Sequence, residues 1–383
     1  MQTNITGQEA HKKIIIVGPA YPYRGGIANF TDSLFQELKK NNSVNVITFL
    51  RQYPSILFPG KTQFEDFDDK KNYAQQLIDS INPFTWIKVG RLIKKERPDL
   101  LIIKFWLPFF GLCFGTIAGI AGKNKHTKIV SVCHNVIPHE KHAGDKFLTS
   151  FFFNKVDYFI LLSNKIVDDL LSIKSRAKYA VLPHPVYSQF GESINKQEAK
   201  KHLQLNDEKI ILFFGFIREY KGLDVLISAL SFLKGKISVK LIVAGEFYSD
   251  KEKYENLIKA LEVENSIYLQ TDFIPSSEVK YYFSASDCVI LPYRDATQSG
   301  IVQIAVNFKK PVIATNVGGL GEIIKDGITG YIVEKNNPVE LADAIIKFYN
   351  ENKEAEFVSN LAEVASKYSW GSFVNGLLQL TEN

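Results

Sequence analysis

The chain has 383 residues, 45% of them apolar and 23% charged, an ordinary composition for a globular protein. This length exceeds a single ordinary core and predicts two domains. The three cysteines are widely spaced in apolar surroundings, which suggests neither a disulfide framework nor a zinc site and favours the reducing cytoplasm. The apolar run near the N-terminus is far too short for a signal peptide.

The formal net charge of +5 is unevenly distributed. Through Pro185 there are 25 Lys and Arg against 15 Asp and Glu, a net charge of +10, and beyond it 21 against 26, a net charge of −5. A basic half can face nucleic acid, an anionic membrane or an anionic substrate, or it can be a scatter of solvated lysines. No recognition helix or aromatic-basic array is present in the sequence, which argues against a nucleic-acid partner.

Short apolar runs rich in β-branched residues follow one another along the chain. The first half has KIIIVG, NVITF, LLIIKF, IVSVCH, YFILLS and YAVLP, and the second has IILFFG, KLIVAG, SIYLQTDF, CVILPY, PVIATN and GYIVE. Because these runs do not alternate apolar with polar residues, they indicate strands buried on both faces. Segments of helical period separate most of them. The pattern predicts an α/β fold with two doubly wound parallel sheets.

A polar stretch with Pro and Gly, Leu182–Leu203, interrupts this alternation. It places the seam between two Rossmann-like domains, 1–185 and 186–353. The remaining residues, 354–383, are predicted to form a helical segment that packs back on the first domain.

Residues 105–122 form a run of eighteen without a charge, the length at which a membrane span becomes a candidate. The run follows a strand directly and contains Pro108 near its start. A helix over 109–121 would cover about 20 Å, short of the ~30 Å hydrocarbon core. We therefore expect a crossover helix that presses closely on the sheet through three glycines, Gly111, Gly115 and Gly119. A membrane span or a helix dipping into a membrane surface remain the alternatives.

Glycines follow the first predicted strand in the sequence RGGI. Gly25 and Gly26 precede a helix whose free N–H groups are suited to a phosphate or sugar oxygen. The stretch is no G-x-G-x-x-G motif, and no acidic residue follows the second strand, which disfavours a nicotinamide dehydrogenase. A plain tight turn is the alternative interpretation.

Cations and a second helix start mark the other half. Arg218 and Lys221 lie in the loop after a strand, at the edge of a parallel sheet where ligands bind, and two cations suit a diphosphate leaving group. A helix beginning near Ser299 offers a second anion site. Each feature alone is more typical of an ordinary surface.

Together, RGGI, HNVIPHE, GFIREYKGLDVLISAL, IVAGE, DFIPSSEV and PVIATNVGGLGEIIKDGITGYIV resemble the family 4 glycosyltransferases of the GT-B fold, from about Ile14 to Trp370. The resemblance implies two Rossmann-like domains facing each other across a cleft. The N-terminal domain would bind an acceptor and the C-terminal domain a nucleotide sugar. Transfer would be retaining, hexosyl-type and metal-independent.

The resemblance also implies roles for individual residues. Catalytic roles fall on His134, Arg218, Lys221 and Asp295. Donor-binding roles fall on Gly25, Gly26, Gly215, Phe273, Ile274, Ser299, Gly300, Ile301 and Gln303. Acceptor-binding roles fall on Arg24, His139 and Glu140.

The sequence departs from the family pattern at two places. The family has an Arg five residues before Lys221; here that position is Phe216, and Arg218 is expected to substitute for it. The family also has two glutamates, the first touching the donor sugar and the second the ribose. Asp295 and Gln303 have the matching separation, whereas counting back from Pro311 places the second at Ile304.

The resemblance gives the expected co-substrate and partners. No cofactor or metal is expected; the donor would be a nucleotide-diphosphate sugar, with uridine the first expectation and guanosine the second. The acceptor would be a saccharide or a polyprenyl-linked saccharide in cell-surface polysaccharide synthesis. A sugar-nucleotide epimerase and an inactive nucleotide-sugar-binding module are the alternatives.

Two further stretches bear on metal and membrane. Glu65–Asp69 contains an Asp-x-Asp spelling used for metals in the other glycosyltransferase fold, but it follows no strand and is interpreted as a solvated acidic loop. For a lipid-linked acceptor, Phe105–Gly111 of the basic domain would contact an anionic membrane at the cytoplasmic face. Alternatively, these aromatics lie between the domains and line the acceptor cleft.

Overall fold

The computed structural model describes residues 11–54, 62–64, 73–138, 142–187, 189–296 and 299–382. They form two parallel β-sheets, one of seven strands and one of six, each packed against helices. The predicted α/β fold with two doubly wound units is therefore confirmed. The domain boundaries at 185 and 353 stay predictions.

The first sheet has the strand order β3-β2-β1-β4-β5-β6-β7. Its strands are β1 (Lys13–Val17), β2 (Ser43–Arg51), β3 (Ala74–Asp79), β4 (Leu100–Phe105), β5 (Lys128–Cys133), β6 (Tyr158–Leu161) and β7 (Lys178–Val181). The helices around it are α1 (Gly26–Lys39), α2 (Pro83–Glu96), α3 (Gly111–Ala121), α4 (Asp145–Phe153) and α5 (Val167–Ile173).

Alternate residues of the central strands face two different cores. In β1, Ile14 and Ile16 pack in a cluster with α1, whereas Ile15 and Val17 pack in a second cluster with residues of α2, α3 and α4. Because both faces of these strands are buried, the strands are continuously apolar. This burial fixes the register and leaves the loops at the carboxyl edge free to carry function.

The second sheet has the strand order β10-β9-β8-β11-β12-β13. Its strands are β8 (Ile210–Phe214), β9 (Lys240–Ala244), β10 (Ile267–Gln270), β11 (Cys288–Leu291), β12 (Val312–Thr315) and β13 (Gly330–Val333). The helices that precede and accompany it are α6 (Lys196–His202), α7 (Leu223–Leu233), α8 (Lys251–Ala260), α9 (Val279–Ala285), α10 (Gly300–Asn307), α11 (Leu320–Ile323) and α12 (Pro338–Asn350).

Two helices follow the second sheet, α13 (Glu354–Lys367) and α14 (Trp370–Glu382). The first packs against α10, and the second returns to the first unit and packs against α1, β6 and β7. Trp370 anchors this return: its ring lies 4.8 Å from that of Phe30 in α1. Its indole N–H also donates a 3.0 Å hydrogen bond to the Val186 carbonyl.

Helix α3 accounts for the long uncharged run. It begins at Gly111, after a single 3-10 turn at Pro108–Phe110. The expectation that its glycine face presses on the sheet is wrong, because that face packs against α4: a Cβ on Gly111 would lie 2.2 Å from the carbonyl oxygen of Leu148. No helix in the described ranges is long and apolar enough to cross a membrane.

The aromatics before α3 belong to the interior of the first unit. Phe105, Trp106 and Phe110 are all buried there, with the Trp106 and Phe110 rings 4.3 Å apart. Phe109 stacks on Tyr53 with centroids 6.1 Å apart. These three buried side chains neither face a membrane nor line the cavity between the sheets, whereas contact of the rest of this stretch with a membrane or an acceptor stays a prediction.

Candidate active site

A cavity of about 230 Å³ lies between the two sheets. Its wall comes from strand ends: Gly26 begins α1 after β1, Gly215 follows β8, Glu246 follows β9, and Ser299 and Gly300 begin α10 after β11. Ligands bind outside the carboxyl ends of strands in open parallel sheets, because the loops and helix starts there converge. The cavity is therefore the candidate active site.

The structure brings many of the predicted residues together at this cavity. Those that line it are Gly25, Gly26, Gly215, Lys221, Phe273, Ile274, Ser299, Gly300 and Ile301. Those that lie outside its lining are Arg24, His134, Arg218, Asp295 and Gln303. His139 and Glu140 lie outside the described residues, as does the acidic stretch 65–69.

Lys221 is the buried cation of the cavity, with only 8% of the residue exposed. Burial, and secondarily the positive charge of Arg218, lowers the pKa of Lys221 to about 7. Gly215 gives the amine its space: its φ is +94°, and a Cβ there would lie 3.2 Å from the Lys221 Nζ. A desolvated amine of this kind gains its proton when an anion enters, so it is suited to a phosphate.

The start of α10 provides the second anion-binding element. Ser299 is its N-cap, and its hydroxyl accepts a 3.3 Å hydrogen bond from the Ile301 N–H. The Tyr293 hydroxyl lies 3.4 Å from the Ser299 hydroxyl. Gly300 and Ile301 both line the cavity, so the partial positive charge of this helix start is directed at the same space as Lys221.

Arg218 is exposed at the rim of the site. Its guanidinium carbon lies 5.1 Å from the ring centroid of Tyr248, and its charge acts on Lys221. Phe216, which occupies the position of the family's Arg, lines the cavity and stacks on Tyr248 with centroids 4.5 Å apart. The substitution of Arg218 for that Arg stays a prediction, since the side chain reaches the rim and not the lining.

The two positions of the glutamate pair are occupied differently. Asp295 is exposed near the cavity mouth, where its charge acts on the buried hydroxyl of Tyr220. Gln303 is fully buried, and its side-chain amide has no hydrogen-bond partner among the described residues. Gln303 and Ile304 are the two candidates for the second glutamate position, and of these two Ile304 lines the cavity.

His134 lies outside the cavity lining, in a cluster of rings. Its ring is 5.1 Å from Phe30, and its Nε2 is buried without a hydrogen-bond partner in the part of the chain that the structure describes. Burial, followed by the charges of Lys104 and His184, holds the pKa of His134 well below its ordinary range. The imidazole is therefore neutral, and its contact with a donor sugar stays a prediction.

Lys104 is a second buried amine in the same cluster. It is 0% exposed, lies 3.3 Å above the Phe30 ring, and has no hydrogen-bond partner within the described ranges. Burial lowers the pKa of Lys104 well below its ordinary range. A Cβ on Gly18 would lie 2.8 Å from its side chain, so that glycine provides the room for it in the sheet.

Arg24 joins the two units across the cavity. Its guanidinium forms a buried ion pair with Glu246, and its central carbon lies 4.4 Å from the Phe273 centroid and 5.7 Å from that of Phe216. The side chains of the pair are only 4% and 5% exposed. Arg24, predicted to bind the acceptor, is engaged here in contacts between the units.

Sequence reasoning missed several lining residues. Glu246 lies two residues after the end of β9, and the rule that singled out Arg218 after β8 would have found it. Phe216 and Ile304 were recognised only as positions where the family carries a charge. Tyr187 lies in the irregular seam, where no pattern exists, and its hydroxyl donates a 2.8 Å hydrogen bond to the Gly26 carbonyl.

No group of three or more His, Cys, Asp or Glu side chains in the described ranges is arranged to hold a metal ion. The positive elements at the cavity are Lys221 and the α10 start, joined at the rim by Arg218. The lining of the same cavity also includes the rings of Phe216 and Phe273. This arrangement can hold a molecule that carries both a diphosphate and a flat ring.

Two Rossmann-like units that enclose such a cavity at their facing edges define a GT-B glycosyltransferase. Comparison with known proteins agrees: residues 24–190 match the model described as Glycosyltransferase Family 4, and residues 195–366 match Glycosyl transferases group 1. The chain belongs to the family 4 glycosyltransferases.

Relatives extend over the whole chain. An uncharacterized glycosyltransferase of Methanocaldococcus jannaschii is 26% identical over 97% of this chain and 98% of its own. The capsular polysaccharide biosynthesis glycosyltransferase CapM of Staphylococcus aureus is 24% identical over 84% of each chain. The structure of Anabaena HepE in complex with UDP and glucose has a TM-score of 0.76 at 16% identity, covering 96% of this chain and 99% of that one.

Proposed function

We propose that this glycosyltransferase moves a hexose with retention of configuration from a uridine-diphosphate sugar to a saccharide or polyprenyl-linked saccharide. The observation that carries the proposal is the buried Lys221, with its pKa lowered to about 7, beside the α10 start in one cavity. The UDP and glucose in the HepE structure support a UDP-sugar donor, and the capsular role in the CapM name supports polysaccharide synthesis.

Charge separation determines how the site accelerates transfer. As the bond between the sugar and the diphosphate breaks, negative charge grows on the leaving oxygens and positive charge on the sugar. Lys221 and the Gly300 end of α10 stabilise the departing diphosphate, with Arg218 adding charge from the rim. Positive groups that are fixed in advance and poorly hydrated stabilise this state more than solvent would.

Retention follows if the acceptor attacks from the face that the diphosphate leaves. The acceptor hydroxyl then bonds to the anomeric carbon as the carbon–phosphate-oxygen bond breaks, and a phosphate oxygen takes the hydroxyl proton. No carboxylate nucleophile is needed. Glu246 is the one carboxylate among the described lining residues, and it is held by Arg24.

Metal independence rests on the same cations. A buried ammonium and a helix start placed on the diphosphate provide the positive charge that a divalent ion provides in other transferases. The negative charge of the diphosphate is therefore neutralised by protein groups, without a divalent ion.

We propose that the enzyme acts in the cytoplasm, at the inner face of the membrane, and a surface that we call the apolar edge supports the membrane contact. It consists of exposed apolar side chains at the carboxyl edge of the first sheet, Leu50, Ile81, Phe84, Leu112 and Phe147. Along α2, Phe84 is followed on the same helix face by exposed Lys88, Arg91 and Lys95. Apolar tips beside basic side chains suit an anionic lipid surface.

The experiment measures nucleotide release from UDP- and GDP-sugars, with and without a lipid extract that contains polyprenyl-linked saccharides, in the presence of EDTA. Transfer predicts UDP release that requires the acceptor and persists in EDTA, and NMR of the product predicts retained anomeric configuration. Lys221→Ala is the matched control and should abolish release. Sugar interconversion without acceptor would indicate an epimerase, and binding without release an inactive module.

A further inference from the structure

Tyr187 contacts both of the helix starts that border the cavity. Its hydroxyl donates a 2.8 Å hydrogen bond to the carbonyl of Gly26, the first residue of α1. Its ring lies against Gly300, the first residue of α10, where a Cβ would be 3.2 Å from the ring carbon Cε2. The residue is 2% exposed and belongs to the seam between β7 and α6. One buried side chain in the cavity lining therefore joins the first unit to the second.

His184, three residues earlier in the seam, provides a second partner for the Tyr187 hydroxyl. Its Nδ1 lies 2.8 Å from the Pro185 carbonyl, and its Nε2 lies 3.2 Å from the Tyr187 hydroxyl. Burial lowers the pKa of His184 to about 3, so the imidazole is neutral. Because a carbonyl can only accept, the ring proton lies on Nδ1, and Nε2 is an acceptor. The position of the hydroxyl is therefore defined by two acceptors, the Gly26 carbonyl and the His184 Nε2.

The separation of the two helix starts matters for a transfer reaction. The α10 start belongs with Lys221 to the unit proposed to bind the donor, and the α1 start belongs to the unit proposed to bind the acceptor. Two bound reactants react fast only when their atoms are aligned, and a displacement of about 1 Å can cost about a hundredfold in rate. A tyrosine is suited to hold such a separation, because its ring is rigid and two torsions determine where its hydroxyl lies.

We propose that Tyr187 is a positioning residue that holds the α1 start against the α10 start and thereby sets the rate of transfer, not the affinity for the donor. The inference rests on the proposed function and concerns the same site. The two parts of the side chain have separate tasks, since the hydroxyl holds α1 through Gly26 and the ring packs on Gly300 of α10. Removing the hydroxyl alone releases α1 and leaves the ring on α10.

Tyr187→Phe tests this division, because it removes the hydroxyl and keeps the ring. In steady-state release of UDP from UDP-sugars, with the lipid extract as acceptor, kcat and kcat/KM should both fall by about tenfold or more. The KM for the donor, and the dissociation constant of UDP measured by calorimetry, should stay within about threefold of the unchanged protein. Tyr187→Leu also removes the ring and should weaken UDP binding in addition, because the α10 start loses its packing.

Tyr368→Phe is the matched control. Its hydroxyl donates a 3.4 Å hydrogen bond to the Glu322 carbonyl of the second unit, outside the cavity lining, so the same change there should leave kcat and KM unaltered. Thermal unfolding compares the stability of the variants.

The outcomes separate the inference from the proposed function. A folded Tyr187→Phe variant with unchanged kcat, or with UDP affinity lowered as much as kcat, overturns the inference and leaves the proposed function intact. A Tyr187→Phe chain that does not fold shows a purely structural role and overturns the inference as well. Absence of acceptor-dependent UDP release by the unchanged protein overturns the proposed function and the inference with it.

Discussion

At the scale of single residues, Lys221 couples burial to chemistry. An amine removed from water binds its proton weakly, and the nearby charge of Arg218 weakens it further. A diphosphate reverses this balance, since its negative charge stabilises the ammonium form. The residue is thus uncharged in much of the empty enzyme above neutral pH, and we expect it to be charged in a complex with a nucleoside diphosphate.

This exchange makes nucleotide affinity depend on pH. The pKa of Lys221 is about 7 in the empty site and is raised in the complex, so binding takes up a proton above pH 7. The affinity for the nucleotide is highest below the pKa of Lys221 in the empty site. Above that pKa it falls by about tenfold for each pH unit. Calorimetric titration with UDP between about pH 7 and 9, where the nucleotide phosphate is ionised, measures the slope.

Variants of the same residue provide the controls. Lys221→Arg keeps a permanent charge, so its affinity should be flat over this range. Lys221→Ala should bind UDP about tenfold or more weakly, with no slope. A flat profile for the unchanged protein would contradict the role of the buried amine.

The predictability of individual residues follows the same physics. Gly25, Gly215, Lys221 and Ser299 were predictable because each lies at a strand end or helix start, and these positions converge in any parallel sheet. The ion pair between Arg24 and Glu246 was not, since it joins residues far apart in sequence on two different units. No local periodicity records such a contact.

At the scale of elements, the glycines of α3 let two helices approach each other. The Gly111 backbone nearly touches the Leu148 carbonyl of α4, whereas Gly119, on the same face, would place a Cβ 3.7 Å from the Lys155 side chain. The close approach is confined to the first part of α3. A glycine early in the helix is therefore required, and one near its end is not.

This difference predicts opposite effects of the same substitution. Gly111→Ala should destabilise the protein by about 1–3 kcal/mol, because backbone must move to admit the methyl group. Gly119→Ala should stabilise it by about 0.5–1 kcal/mol, since alanine favours a helix and here makes only ordinary contacts. Denaturant unfolding of the two variants measures both changes, and equal shifts would contradict the packing of α3 on α4.

Most elements could be predicted from continuous apolar runs, but β3 could not. Its sequence, AQQLID, carries exposed Gln75 and Gln76, and it pairs only with β2 at the edge of the sheet. An edge strand needs less apolar surface than a central one, so its signal is weak. The partner of the α3 glycines was also unpredictable, because a glycine stripe indicates close approach without naming the element that approaches.

At the scale of the whole molecule, the candidate active site depends on how the two units face each other. Arg24, Tyr187 and Trp370 each make contacts between chain segments far apart in sequence, and two of these contacts border the cavity. The seam residue Tyr187 contacts the start of α1 and lies against Gly300 of α10. The cavity is therefore a property of the closed arrangement and not of either sheet alone.

The apolar edge would orient the whole molecule relative to a membrane surface. Phe84 and Phe147, 81% and 68% exposed, stand on the first turns of α2 and α4, with α3 between them. Both face away from the core at the edge where the first sheet meets the cavity. An acceptor held in a membrane by its lipid would reach the cavity from this side.

The last prediction is that the protein binds vesicles rich in anionic lipid through this edge. Cosedimentation should be strong at low salt and weaken as salt rises, because screening reduces the attraction of about 1 kcal/mol for each nearby cation. Phe84→Ser combined with Phe147→Ser should remove most of the binding, since the inserted rings are lost. Phe232→Ser, at a ring 41% exposed on α7 of the second unit, should bind like the unchanged protein. Equal loss in both variants would place the contact elsewhere, and no binding at low salt would leave a soluble acceptor.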